Sequence, residues 1–286
     1  MFKLTSTVYQ TMLNLVGRSD NKDPLRLTGE AMNEDDMLQE ALDTNNLLLA
    51  QTIYLQKAIL AQYFNDFRLA ADMAGLIWDN LQLRAGSCNF MTGVTYFVLG
   101  LSAMGMARPC CKIRCRITAR KARRHARKYI KKLSLWVKQG EPNVQHMLLI
   151  LKAEQSHVGR NGANKDDHVR NVQKAYDTAI SVSARSGFLQ NAALANERAG
   201  LYFLEKQNDD DWAQLYIGRA YQLYSEWGAE AKLDQMRRIY PFLADSKDFL
   251  SARHGTQRYG KRRFSVSSKH FSSSTESFLE AENILQ

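Results

Sequence analysis

The chain has 286 residues, 45% of them hydrophobic and 24% charged, which is the composition of a globular protein and excludes a wholly disordered one. Its net charge of +10 suggests a nucleic-acid binder until the charge is located: residues 108–138 hold 13 Lys or Arg and no acid, leaving 26 basic against 29 acidic residues elsewhere. A local run of this kind can be one face of one helix, a weaker argument for nucleic acid than a basic domain.

Only 4 prolines occur, and the stretches between them are rich in Ala, Leu, Gln, Glu and Lys. These side chains lose little or no rotamer freedom in a helix, whereas the alternating Val, Ile and Thr of strands are scarce. The predicted fold class is therefore all-α. Residues 1–43 read as an irregular entry, with a short helix at Val8 to Val16 and a polar loop around Arg18 to Asp36. From Thr44 the helical period begins, with Leu47, Leu48, Ile53, Ala58 and Ala61 at three- and four-residue steps. Asn65-Asp66 breaks it before a second helix carrying Phe67, Ala70, Ala74 and Ile77.

Phe90 to Ala107 is 18 residues without charge and reads either as a membrane span or as a buried helix. Three glycines and its marginal length favour the buried helix. The basic helix follows. Ile117, Ala122, Ala126, Tyr129, Ile130, Leu133 and Trp136 form its apolar stripe, and Arg and Lys fill the rest. Gly140 and Pro142 end it. Further helices are predicted over 144–158, 167–186, 188–206 and 211–227. Beyond Pro241, residues 244–286 read as a Ser-rich basic tail with too little apolar surface to offset the entropy of ordering.

The helices repeat. Leu151-Lys152-Ala153-Glu154 returns as Leu194-Ala195-Asn196-Glu197, an offset of 43, and Ala175-Tyr176 returns as Ala220-Tyr221, an offset of 45. Drifting periods with small residues at helix crossings predict a tetratricopeptide-like α-solenoid over 44–243, right-handed and built of about four to five helix pairs.

The run Ala175, Tyr176, Ala179-Ile180, Gly187-Phe188 and Asn196-Glu197 continues into Ala220-Tyr221, Tyr224-Ser225-Glu226-Trp227-Gly228-Ala229 and Lys232. It resembles the helical-repeat region of large signalling proteins that combine a protein kinase, a predicted AAA-type ATPase and, often, GAF and histidine kinase or cyclase domains. Tyr9-Gln10, Asn14-Leu15, Leu27-Thr28-Gly29-Glu30, Trp136 and Pro142-Asn143 extend the resemblance upstream. It implies a repeat scaffold in a signalling assembly, with Ala175, Tyr176, Glu197, Ala220, Tyr224, Trp227, Gly228, Ala229 and Lys232 as structural signature residues. The chain departs from that family in lacking a phosphate-binding Gly-x-x-x-x-Gly-Lys-Ser/Thr loop and kinase motifs.

Four groups of residues could carry chemistry. Glu154 and Glu197 occupy equivalent helical positions; paired carboxylates can exchange protons with a substrate, but a structural ion pair or hydrogen bond is the plainer role. Cys110, Cys111 and Cys115 with His125 lack zinc-site spacing, and the neighbouring cations disfavour a metal ion. They read as loop cysteines, activated thiolates or lipid acceptors; with Cys88 unclustered and no leader evident, a reducing, cytoplasmic setting is expected. Arg114, Arg116, Arg120, Lys121, Arg123, Arg124, Arg127, Lys128, Lys131 and Lys132 form a cationic face suited to an acidic partner, RNA or anionic lipid, or simply solvated. Arg262-Arg263-Phe264-Ser265 marks Ser265 as a basophilic-kinase acceptor.

The sequence thus predicts a non-catalytic protein-interaction module without cofactor or metal. Nucleic-acid or anionic-membrane binding through residues 114–132 is the alternative.

Overall fold

A computed structural model describes residues 2–81, 90–108, 113–159 and 165–243. The tail, including Ser265, and Cys88, Cys110 and Cys111 lie outside the described residues, as do the side chains of Arg114, Cys115 and Arg116. The described residues are all-helical, with eleven α-helices and no strand. In chain order these are α1 (Phe2–Leu15), α2 (Glu34–Asp43), α3 (Leu47–Tyr63), α4 (Phe67–Leu81), α5 (Phe90–Met106), α6 (Ile113–Lys138), α7 (Gln145–Val158), α8 (Lys165–Arg185), α9 (Leu189–Tyr202), α10 (Asp210–Trp227) and α11 (Glu230–Ile239).

The punctuation is local chemistry. Asn33, Asn46 and Asp209 each accept a first-turn backbone N–H of α2, α3 and α10 through the side chain. Asn65 (φ 60°) and Asn208 (φ 52°) take the left-handed conformation that turns α3 into α4 and α9 into α10. Gly228 (φ 83°) closes α10 by donating its N–H to Ser225 and Tyr224 carbonyls.

The entry is more helical than its polar composition suggests. Two buried amides of α1 organise the loop that follows. Asn14 Nδ2 donates to the Pro24 and Arg26 carbonyls at 2.8 and 2.7 Å, and Gln10 Oε1 accepts the Ala31 N–H at 3.0 Å. Glu34 pairs with Lys57 of α3 and accepts the Leu27 N–H at 2.9 Å, so that Leu27 is enclosed. Long-range hydrogen bonding supplies the order that hydrophobic periodicity does not announce.

Neighbouring helices pack in sequence, α3 on α4, α4 on α5, α5 on α6, α6 on α7, α7 on α8, α8 on α9 and α9 on α10. In addition, α5 lies against α7, α7 against α9, and α1 against α11. One apolar core runs from Leu15 and Leu27 through Ile53, Leu101, Leu133, Leu151, Val172 and Leu194 to Tyr224 and Leu233. A smaller one joins Leu55 and Ala58 of α3, Ile77 of α4, Val98 and Leu99 of α5, and Tyr129 of α6.

The uncharged segment is α5, and its Phe97, Val98, Leu99, Leu101, Ala103 and Met104 are buried among protein side chains. Among the described residues no helix is long and apolar enough to cross a membrane. Its glycines allow close approach. A Cβ on Gly100 would stand 2.7 Å from Leu151 Cδ1, and one on Gly105 3.1 Å from Phe67 Cδ1.

Gly200 sits at the tightest crossing, where a Cβ would lie 2.5 Å from Ile217 Cγ1 and 3.2 Å from the Ala213 carbonyl oxygen. Gly200→Ala forces α9 and α10 apart and should cost about 1–3 kcal/mol by chemical denaturation. Gly218→Ala on α10 meets nothing within 4 Å and should instead stabilise by roughly 0.5–1 kcal/mol. Equal effects from the two substitutions would remove the close-crossing argument.

Candidate functional site: a buried ion network and an outward cationic face

The Glu197 carboxylate of α9 is fully enclosed and surrounded by donors. Asn65 Nδ2 and Lys232 Nζ donate to Oε1 at 2.6 and 2.8 Å, and the Tyr224 hydroxyl donates to Oε2 at 3.1 Å. Lys232 is equally buried and also donates to Gln235 Oε1 at 2.8 Å; Gln235 Nε2 in turn donates to the Phe64 carbonyl at 2.8 Å. One carboxylate therefore ties the α3–α4 turn, α10 and α11 to α9. Burial pulls the Lys232 ammonium down from the usual lysine range, and Glu197 opposes that pull. Tyr224 is pushed well above the ordinary phenol value by burial, then by Glu197.

Glu154 of α7 is built on the same plan. The Tyr176 hydroxyl of α8 donates to Oε1 at 3.0 Å, and His157 Nδ1 lies 3.1 Å from the same hydroxyl. Tyr176 has one proton and gives it to Glu154, so His157 carries its proton on Nδ1 and donates to the phenol oxygen. Burial alone would raise the Glu154 carboxyl, but Arg198, Arg108, His157 and the Tyr176 hydroxyl together hold it below the ordinary carboxylate value. Burial drives His157 down to about 4.

Two arginines close the network. Arg198, wholly buried on α9, donates through Nη2 to the Gln62 carbonyl at 3.2 Å and to Gln62 Oε1 at 2.8 Å. Its guanidinium stands 4.4 Å from the Phe67 ring centroid, and that of Arg108 stands 4.3 Å from the same ring. Arg108 also reaches toward Glu154 at 4.0 Å and donates to Glu205 at 3.3 Å. Cations and carboxylates alternate through the interior. Glu197 spends both oxygens on donors from outside α9, whereas Glu154 uses Oε1 on Tyr176 and its Oε2 makes no hydrogen bond and faces Arg108 across 4.0 Å. Such an arrangement fixes how helices meet.

Most of the other signature residues are buried as well. Tyr176, Ala220, Tyr224 and Ala229 are buried; Ala175 and Trp227 are partly buried. Trp227 packs on Tyr63 with ring centroids 5.2 Å apart. Arg198 and Arg108 are the members that hydrophobic patterning overlooks. The one available signal is Glu197-Arg198, two adjacent charges inside the alanine-rich run 192–199.

The basic run behaves differently. The apolar stripe of α6, Ala119, Ala122, Ala126, Tyr129, Ile130 and Leu133, is buried. Arg120, Lys121, Arg124, Arg127, Lys128, Lys131 and Lys132 are all exposed. Within the 108–138 run, Arg108 lies off α6 in the buried network described above, and on α6 itself Arg123 departs from the outward pattern. It turns partly inward, with Nη2 3.4 Å from the Ala107 carbonyl oxygen. His125 is lowered by burial and then by Lys128, Arg124 and Lys121. Among the described residues no group of three His, Cys, Asp or Glu side chains could hold a metal ion.

A cleft of about 580 Å³ lies beside the α3–α4 turn, with Asp23, Asp66, Arg68 and Arg238 among its lining residues together with Phe64 and Phe67. Its formal charges balance. Against this geometry, comparison with family models, curated proteins and solved structures finds no match.

Proposed function

We propose that the chain is a non-catalytic, tetratricopeptide-like helical-repeat module that binds other proteins within a signalling assembly. The observation that carries this reading is the doubled carboxylate device. Glu154 on α7 and Glu197 on α9 each accept a tyrosine hydroxyl from the helix that follows, Tyr176 on α8 and Tyr224 on α10. Successive helix pairs built on one plan, each covering the apolar face of the last, are how repeat proteins extend a binding surface. A module of this kind works by presenting rigid faces, and its buried acids serve that rigidity. The resemblance of 175–232 to the repeat region of kinase- and ATPase-containing signalling proteins points the same way.

The test uses the intact chain, immobilised at moderate salt and exposed to a nuclease-treated, lipid-depleted cell extract. Protein recovered in stoichiometric amount, which binds again when purified, is the expected result. Recovery of nucleic acid or acidic lipid alone from an untreated extract would sink the reading, as would ATP turnover by the purified chain. The second reading, binding of nucleic acid or an anionic membrane through residues 114–132, is favoured by one observation, the outward cations of α6, and that experiment separates the two.

A further inference from the structure

We infer that the outward face of α6 docks an acidic polypeptide segment bearing an apolar side chain. This rests on the binding-module reading and adds the surface and the chemistry of the partner.

At 100° per residue, Arg120, Lys121, Arg124, Arg127, Lys128, Lys131, Lys132, Leu135 and Lys138 fall within an arc of about 140°, and Arg120 to Lys138 spans about 27 Å. All of them are exposed, and the stripe contains no acid. None of the ion pairs among the described residues involves Arg120, Lys121, Arg124, Arg127, Lys131 or Lys132. The opposite side of the helix is clamped in the core by Ala122, Ala126, Ile130 and Leu133, so the cations keep a fixed register. A row of fixed like charges attracts a complementary row and favours rapid, oriented encounter.

The choice among anionic partners follows from what else the face holds. A helix that enters a lipid interface inserts its apolar side, and the apolar side of α6 is already buried in protein. Single-stranded nucleic acid needs exposed aromatic rings for stacking. Tyr129 is only 4% exposed and Trp136 packs on Tyr96 at 5.5 Å. Leu135, by contrast, is 48% exposed in the middle of the cationic arc. Phosphates have no use for a leucine there. An acidic polypeptide with one apolar side chain satisfies both features, its carboxylates meeting the rim and its apolar group covering Leu135.

The probe is a helical peptide of about 18 residues, long enough to cover the stripe at 1.5 Å per residue, with glutamates on one face and a single leucine. Binding to the intact chain is measured by titration at two salt concentrations. The expected result is binding that weakens with salt and falls roughly tenfold or more in the variant carrying Arg124→Glu, Arg127→Glu, Lys131→Glu and Lys132→Glu. Leu135→Ser, or a peptide with serine for leucine, should also weaken binding severalfold at constant charge. All these positions are exposed, and an unchanged helical circular-dichroism spectrum establishes that each variant is folded.

Tighter binding to an 18-nucleotide RNA or to phosphatidylserine-containing vesicles overturns the inference. So does absence of peptide binding, or indifference to both sets of substitutions. If proteins from extract bind the intact chain and the charge-reversed variant equally, only this assignment fails and the binding-module reading survives on another face.

Discussion

Glu197→Ala is expected to cost about 3–5 kcal/mol, because it leaves the Lys232 ammonium buried with its main partner gone. The loss should be larger than truncation of an exposed pair such as Arg170–Asp167, where about 0–1 kcal/mol is the usual scale. Asn65 and Tyr224 lose their acceptor in the same step, so the α3–α4 turn and α10 are loosened together. Lys232→Met in the Glu197→Ala background removes the orphaned cation while keeping a long apolar stem in the space. The double variant should therefore recover a substantial part of the stability, a coupling that a double-mutant cycle reads directly. Urea midpoints for the three variants decide the matter. Single-variant losses below about 1 kcal/mol, with simple additivity, would show that the pair does not hold the helices together.

The second large effect is a loss of stability on mild acidification. His146 is fully buried, its ring stacked on Phe188 at 3.9 Å, and neither ring nitrogen has a hydrogen-bond partner. Burial pushes its pKa down to about 4, and burial does the same to His157. Both folded-state values lie below the 6.5 of an ordinary histidine, so between about 4 and 6.5 the unfolded chain binds more protons than the folded one. Stability is full above 6.5 and declines as pH falls toward 4, by roughly 2–3 kcal/mol per histidine. Glu154, held below its ordinary value of 4.5, adds its own loss as pH falls below about 4.5. Replacing His146 by Phe keeps a stacking ring and removes one titration, so the slope of stability against pH should fall by about half. A stability curve that is flat from pH 7 to pH 5 in the unmodified chain would rule the mechanism out.

How much of this was legible in the sequence varies from element to element. The helices α3, α7, α8 and α10 announce themselves through three- and four-residue apolar spacing and through turn residues at Asn65, Gly187 and Asn208. The entry was less legible. Asn33 followed by Glu34, Asp35 and Asp36 is a helix start signal, but α2 is short and weakly apolar; Gln10 and Asn14 bond to the loop before it, and Lys57 pairs with Glu34 at its start. The segment 90–107 was ambiguous because a buried helix and a membrane span both require apolar residues on every side. Packing of α5 against α4, α6 and α7 resolves it for Phe90–Met106.

By itself the sequence determined the helical class, the limits of α5, α7, α8 and α10 to within about two residues, and the outward direction of the α6 cations, because these depend on residues within one or two turns of each other. It announced neither α2 nor α11 and began α1 too late. A stripe at Ala122, Ala126, Tyr129 and Leu133 must turn inward, and Arg124, Arg127 and Lys131 must then turn out. The tertiary structure decided which charges entered the core and whom they met. Glu197 finds Lys232 35 residues away and Asn65 132 residues away, and Arg198 finds Gln62 136 residues away. No spacing rule carries that information. A buried charge is stable only where other helices bring donors and acceptors around it, and those partners exist as a set only once the chain has folded.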